Sequence, residues 1–233
     1  MKVFISGQKY FGLEIYRLCK KLKFEVVGVC APIGDRYIYE AAVRDGVKVI
    51  PAGTLNADNM IACDLGITAH SHDYIGKKTR YVPRLGWIGY HPSLLPRHRG
   101  RSSIEWAIRM GDQITGGTIF WLNGGIDRGD IAYQDWCWIP KKYQFDAKAG
   151  ATELWRNELL GMGVRLYETA LSDISRGIIK KQKQNPEHST FEPSLDNIKD
   201  VYKPDLLLLP FDRTTESGQN PPQIDEDDYI PHH

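Results

Sequence analysis

Cysteine is scarce and scattered. The four cysteines stand at 19, 30, 63 and 137, and no two form a C-x-x-C pair. That excludes a zinc ribbon, a thioredoxin-type redox motif and a disulfide scaffold. Cys30 and Cys63 fall in or beside apolar runs and read as buried free thiols. Charge of one sign is equally lacking. Thirty Lys plus Arg stand against 29 Asp plus Glu, so the net charge of +1 offers no excess to grip nucleic acid or an anionic membrane. No run approaches the ~18 apolar residues of a membrane span. The apolar part of MKVFISGQKYFG is too short for a signal peptide, so the expected compartment is the cytoplasm. The dinucleotide fingerprint is missing as well: between Gly7 and Gly12, Lys9 occupies the place of the middle glycine in G-x-G-x-x-G. No serine stands in G-x-S-x-G, so Ser93, Ser102 and Ser103 read as capping or turn residues. There are no internal repeats.

What remains is an ordinary globular composition, 42% hydrophobic and 25% charged over 233 residues. The segments alternate. KVFIS before Gly7 is a short buried strand, and Phe11, Ile15, Leu18, Cys19 and Leu22 repeat at helical spacing up to Lys23. EVVGVC is a second strand, 37–45 a helix closed by Gly46, and VKVI a third strand. DLGITA, GWIGY and GTIFWLN continue the series, with a short helix at 103–111 before the last. Residues 130–139 interleave polar and apolar side chains, as an antiparallel strand does. A long helix over 149–176 is expected to bend near Gly161 and Gly163. The order implies an α/β fold: a mostly parallel open sheet with helices on both faces. The core is expected to span 1–184. An extension at 185–210 should pack back on it. The last part, 211–233, carries six acidic residues against Arg213 alone and is expected to be flexible.

The stretch that bears chemistry is GYHPSLLPRHRGRSSIEWAIRMGDQITGGTIFWLNGGIDRGD, 89–130. His91 follows a strand and so lies at the carboxyl edge of the sheet, where open α/β sheets bind ligands. Pro92 and Pro96 stiffen the loop after it. Arg97, Arg99 and Arg101 make that loop basic. A second edge loop carries Asp127. An imidazole and a carboxylate converging on one crevice can serve acyl transfer to an amine without any protein nucleophile. A histidine before proline is nevertheless a common turn residue, and so is the aspartate of I-D-R-G. From these residues alone the reading stops at an α/β enzyme of undetermined chemistry.

H-P-S-L-L-P-R-H-R-G followed by G-I-D-R-G-D resembles the folate-dependent formyltransferase family. Its wording is most like the hydrolase domain of 10-formyltetrahydrofolate dehydrogenase, and nucleotide-sugar N-formyltransferases are similar too. The opening pattern from Lys2 to Tyr16, the I-x-W ending at Trp106 and the I-F-W ending at Trp121 belong to the same resemblance, which covers roughly 1–180. It implies a Rossmann-like formyltransferase core with 10-formyltetrahydrofolate as cosubstrate and no metal. His70 and His72 are therefore not read as metal ligands. The resemblance makes His91 the catalytic histidine, stabilising an oxyanion, and Asp127 the catalytic aspartate, managing the proton. The pterin pocket falls on His72, Asp73, Tyr74 and Ile75 and on Gly124, Gly125 and Ile126. Arg97, nearest His91, with Arg99 and Arg101 would meet an anionic acceptor or the folate tail.

One position departs from the family: most of its transferases carry an asparagine two residues before the histidine, and Gly89 stands there. The expected reaction moves the formyl group to the amine of a small acceptor. A nucleotide-linked amino sugar ranks first, with Trp155 or Tyr202 stacking on its base. Water is the alternative acceptor, and a non-catalytic folate- or nucleotide-binding module is the alternative of another class. Methionyl-tRNA is not expected, since the acidic tail stands where a tRNA-binding domain would follow. Neither nucleic acid nor membrane is an expected partner, and a homo-oligomer is left open.

Overall fold

The computed structural model describes residues 1–71 and 73–195. The expected tail at 211–233, the later part of the extension, Tyr202 and His72 lie outside the described residues. One sheet organises the chain. Its strands are β1 (Lys2–Gly7), β2 (Glu25–Ala31), β3 (Val49–Pro51), β4 (Leu65–Ala69), β5 (Trp87–His91), β6 (Ile114–Trp121) and β7 (Ile131–Trp138). They lie in the order β3-β2-β1-β4-β5-β6-β7. The first five are parallel, and β6 and β7 add antiparallel, as the interleaved pattern of 130–139 implies.

The helices are α1 (Lys9–Lys21), α2 (Ile38–Arg44), α3 (Lys77–Arg80), α4 (Ser103–Arg109), α5 (Ala147–Leu154) and α6 (Leu160–Ser175). Strand alternation divides the core. Val3, Ile5, Val29, Ile67 and Ile88 join the large cluster under α1, α2, α4 and α6. Their neighbours Phe4, Cys30 and Trp87 point the other way, into a smaller cluster with Ile50, Met60, Cys63 and Ile75. That second face is covered unevenly, by the irregular segment 52–63 and the four-residue α3, whose Thr79 carbonyl accepts the Trp87 indole N–H at 3.2 Å. All four cysteines are free, and Cys30 and Cys63 are buried as expected.

The long helix is interrupted, but not at its glycines. A π-turn at Trp155–Leu159 separates α5 from α6. The Tyr90 hydroxyl donates to the Leu159 carbonyl at 2.8 Å, which occupies one of the groups that a π-turn displaces. Among the described residues no helix is long and apolar enough to cross a membrane. Of the extension, residues up to 195 pack on the core: the Trp106 indole donates to the Pro193 carbonyl at 2.8 Å.

Candidate active site

The chain passes outward from β1 to β3 and then returns to β4 beside β1. This reversal opens a crevice at the carboxyl ends of the strands. A cavity of about 770 Å³ lies there, within the range of small-molecule sites. Its lining includes an aromatic cluster of Phe11, Tyr90 and Trp155, and also Thr68, Ile75, Phe120, Leu122 and Ile126. The Trp155 ring meets those of Phe11 and His70 edge-on, at 5.4 and 5.9 Å.

His91 and Asp127 both line this cavity. His91 ends β5, and its imidazole is fixed by the loop that follows. The backbone carbonyl of His98 can only accept, so His91 Nε2, 2.7 Å away, carries a proton and donates it. Nδ1 is thereby turned toward Asp127, whose Oδ2 stands 3.5 Å off. Asp127 is fixed by the same loop: the Gly100 amide donates to Oδ2 at 2.9 Å. Gly100 has φ +102, and a Cβ there would stand 2.9 Å from the Glu192 carbonyl oxygen, so this turn needs glycine. Asp127 itself is left-handed, φ +51. Gln184 braces it from behind, donating to the carbonyls of Asp127 and Gly129 at 2.7 Å each.

The three arginines separate. Arg101 lines the main cavity. Arg97, read from the sequence as the one nearest the chemistry, is turned away. Its Nε and Nη2 grip the Asp112 carboxylate at 2.8 and 2.7 Å beside a smaller cavity of about 360 Å³. Arg99 is buried, and its Nε and Nη2 donate to Gln184 Oε1 at 3.1 and 2.8 Å; it braces the Asp127 loop from outside the cavity. The left-handed residues His98 and Gly100 turn the chain between them, so sequence proximity to His91 does not translate into a shared direction.

His98 is buried between two carboxylates, with Nε2 at 2.8 Å from Asp112 and Nδ1 at 3.2 Å from Glu192. Burial alone would lower the His98 pKa, but the two acidic partners prevail and raise it above the ordinary 6.5. Burial would raise the Asp112 pKa, yet Arg97 and His98 outweigh it and hold the carboxyl at about 2.

Of the residues expected to form a pterin pocket, Asp73, Tyr74, Ile75, Gly125 and Ile126 line the cavity, while Gly124 does not and His72 is not described. Asp73 anchors its loop: Oδ2 accepts from Cys30 Sγ at 3.2 Å and from Ser6 Oγ at 3.3 Å. Among the described residues there is no group of three or more side chains suited to hold a metal ion. Lys148, Glu105, Arg80 and Thr68 also line the cavity and carried no sequence motif.

Residues 54–149 match the family model described as formyl transferase. The chain is 31% identical over 210 residues to the cytosolic 10-formyltetrahydrofolate dehydrogenase of Xenopus tropicalis, covering 83% of this chain and 22% of that protein. The chain thus spans about a fifth of such relatives. It is 30% identical over 225 residues to the methionyl-tRNA formyltransferase of Roseiflexus sp. (strain RS-1), covering 88% of this chain and 67% of that one. Among solved structures, an N-formyltransferase from Helicobacter canadensis, in complex with folinic acid and dTDP-3-aminofucose, has a TM-score of 0.65 at 20% identity. That likeness of fold covers 87% of this chain and 74% of the other.

Proposed function

This chain belongs to the formyl transferase family, and on that footing we propose that it transfers the formyl group of 10-formyltetrahydrofolate to the amine of a small acceptor. The observation that carries the reading is the convergence of His91 Nδ1 and Asp127 Oδ2 at 3.5 Å in one cavity. In the reaction the amine nitrogen bonds to the formyl carbon, the bond from that carbon to N10 breaks, the amine loses a proton and N10 gains one. Nδ1 is the ring nitrogen not spent on the His98 carbonyl, so it is the one that takes the amine proton. Asp127 stabilises the resulting imidazolium, whose charge in turn favours the oxyanion forming nearby.

The loop around Asp73–Ile75 and the turn around Gly125–Ile126 suit a reduced pterin, offering backbone polar groups and apolar cover. The lining of the same cavity also includes Arg101, Lys148 and Trp155. An indole and two cations in one cavity suit the base and phosphates of a nucleotide-linked amino sugar, which supports that acceptor. The chain's similarity to 10-formyltetrahydrofolate dehydrogenase supports a second reading, with water as acceptor.

Turnover separates these readings. The protein is mixed with 10-formyltetrahydrofolate, with and without nucleotide-linked amino sugars, and tetrahydrofolate is followed. Release only with a given amine supports the transferase, and release without amine supports the hydrolase. Saturable binding without release, unchanged in His91→Ala, would leave a folate-binding module.

A further inference from the structure

Formyl transfer needs a donor where the carbonyl oxygen becomes negative, and neither expected source stands ready. Gly89 has no side chain, and His91 Nε2 is committed to the His98 carbonyl. We propose that the Thr68 hydroxyl is the catalytic donor to the formyl oxygen; the inference rests on the reading above.

Thr68 is paired with Gly89 across the parallel β4–β5 ladder, so its side chain emerges on the same face as Gly89 and, two residues on, His91. It leans over the bare glycine: a Cβ on Gly89 would stand 2.6 Å from Thr68 Oγ1. The hydroxyl thus fills the start of the volume a longer side chain at 89 would take. Leu122 Cδ1 and Phe120 Cε1, at 3.0 and 3.3 Å from the same point, close that volume on the other side.

Other hydroxyls lining the cavity are engaged or remote. Ser71 Oγ is hydrogen-bonded to Ser6 Oγ at 2.7 Å, Thr152 donates to the Lys148 carbonyl at 3.2 Å, and Tyr90 donates to Leu159. Tyr74 sits on the rim, 77% exposed. Thr68 Oγ1 makes no hydrogen bond among the described residues, yet its backbone is fixed: its carbonyl accepts from the buried Tyr167 hydroxyl at 2.6 Å. Nearby Thr118 shows the opposite state, its Oγ1 donating to the Ser93 carbonyl and accepting from Leu95 N and Gln134 Nε2. A β-branched side chain on a pinned strand has few rotamers, so its hydroxyl is positioned before substrate arrives. As the amine adds, Thr68 donates its O–H to the oxyanion. The hydrogen bond weakens when the carbonyl re-forms and the carbon–N10 bond breaks, and Thr68 ends with its proton.

The test compares Thr68→Val, Thr68→Ala and Thr68→Ser in the full chain by steady-state release of tetrahydrofolate, with thermal melting as the control for folding. Val and Ala should lower kcat by on the order of 10²-fold while KM for 10-formyltetrahydrofolate stays within about threefold. Ser, which keeps the hydroxyl, should stay within about fivefold of the parent. A folded Val or Ala variant with parental kcat, a loss confined to KM, or a Ser variant as impaired as Val overturns the inference and leaves the formyltransferase reading standing. A folded parent that releases no tetrahydrofolate, either with any amine tried or with water alone, overturns both.

Discussion

The Gly100 amide donates to Asp127 Oδ2 at 2.9 Å, and two residues earlier the His98 carbonyl holds His91 Nε2. One short stretch of loop therefore sets both members of the proposed pair. Gly100→Ala forces a Cβ to 2.9 Å from the Glu192 oxygen at a left-handed φ. It should cost about 1–3 kcal/mol of stability and lower kcat for formyl release more than it raises KM. Urea unfolding and steady-state kinetics check the two effects.

His91→Gln and Asp127→Asn should each lower kcat by roughly 10²–10⁴-fold, the span usual for a lost general acid or base. The double variant should lose little more than the worse single one, because the two act on one proton. Two independent, multiplying losses would sink the dyad.

The arginines give a split prediction. Arg101→Ala, in the cavity wall, should raise KM for an anionic acceptor about tenfold while leaving the melting temperature within a degree or two of the parent. Arg97→Ala breaks the two-pronged grip on Asp112 and should lower stability while leaving KM for the acceptor unchanged. The reverse pattern would show that Arg97 reaches the ligand.

His98 and Asp112 give stability a pH dependence. The pKa of His98 is raised in the fold, so its contribution is complete below the unfolded value of 6.5 and is lost as pH rises through the folded value. Asp112 is lowered to about 2, so its contribution is present above 3.8 and is lost as pH falls toward 2. The cluster contributes most between about pH 4 and 6.5. The gap in Tm between the parent and His98→Gln should therefore narrow as pH rises from about 6 to about 9. A gap that widens would contradict the raised pKa.

Much of this was legible before any coordinates. Apolar periodicity located the strands and most helices because burial on a two-faced sheet imposes it, and the interleaving of 130–139 marked the antiparallel strand. The wording around His91 and Asp127 pointed to one crevice, and the chain order puts both at the sheet's carboxyl edge. The helix break at Trp155–Leu159 was not legible: two glycines nearby looked like the obvious hinge, whereas the Tyr90 hydroxyl from β5 selects the site. The fates of Arg97 and Arg99 depended on Asp112 and Gln184, partners far along the chain. Thr68 has no local signature, because its meaning comes from what it lies against and strand pairing is not written in local spacing.

The uneven cover of the sheet gives the two sides of the cavity different backing. The Trp155 side rests on packed helices and aromatic rings, whereas the side at Ile75 backs onto the coil of 52–63 and a single turn of helix. Local opening costs least where ordered backbone is sparse. The coil-backed side is therefore expected to open first, so amide hydrogens of 52–63 should exchange before those of α6.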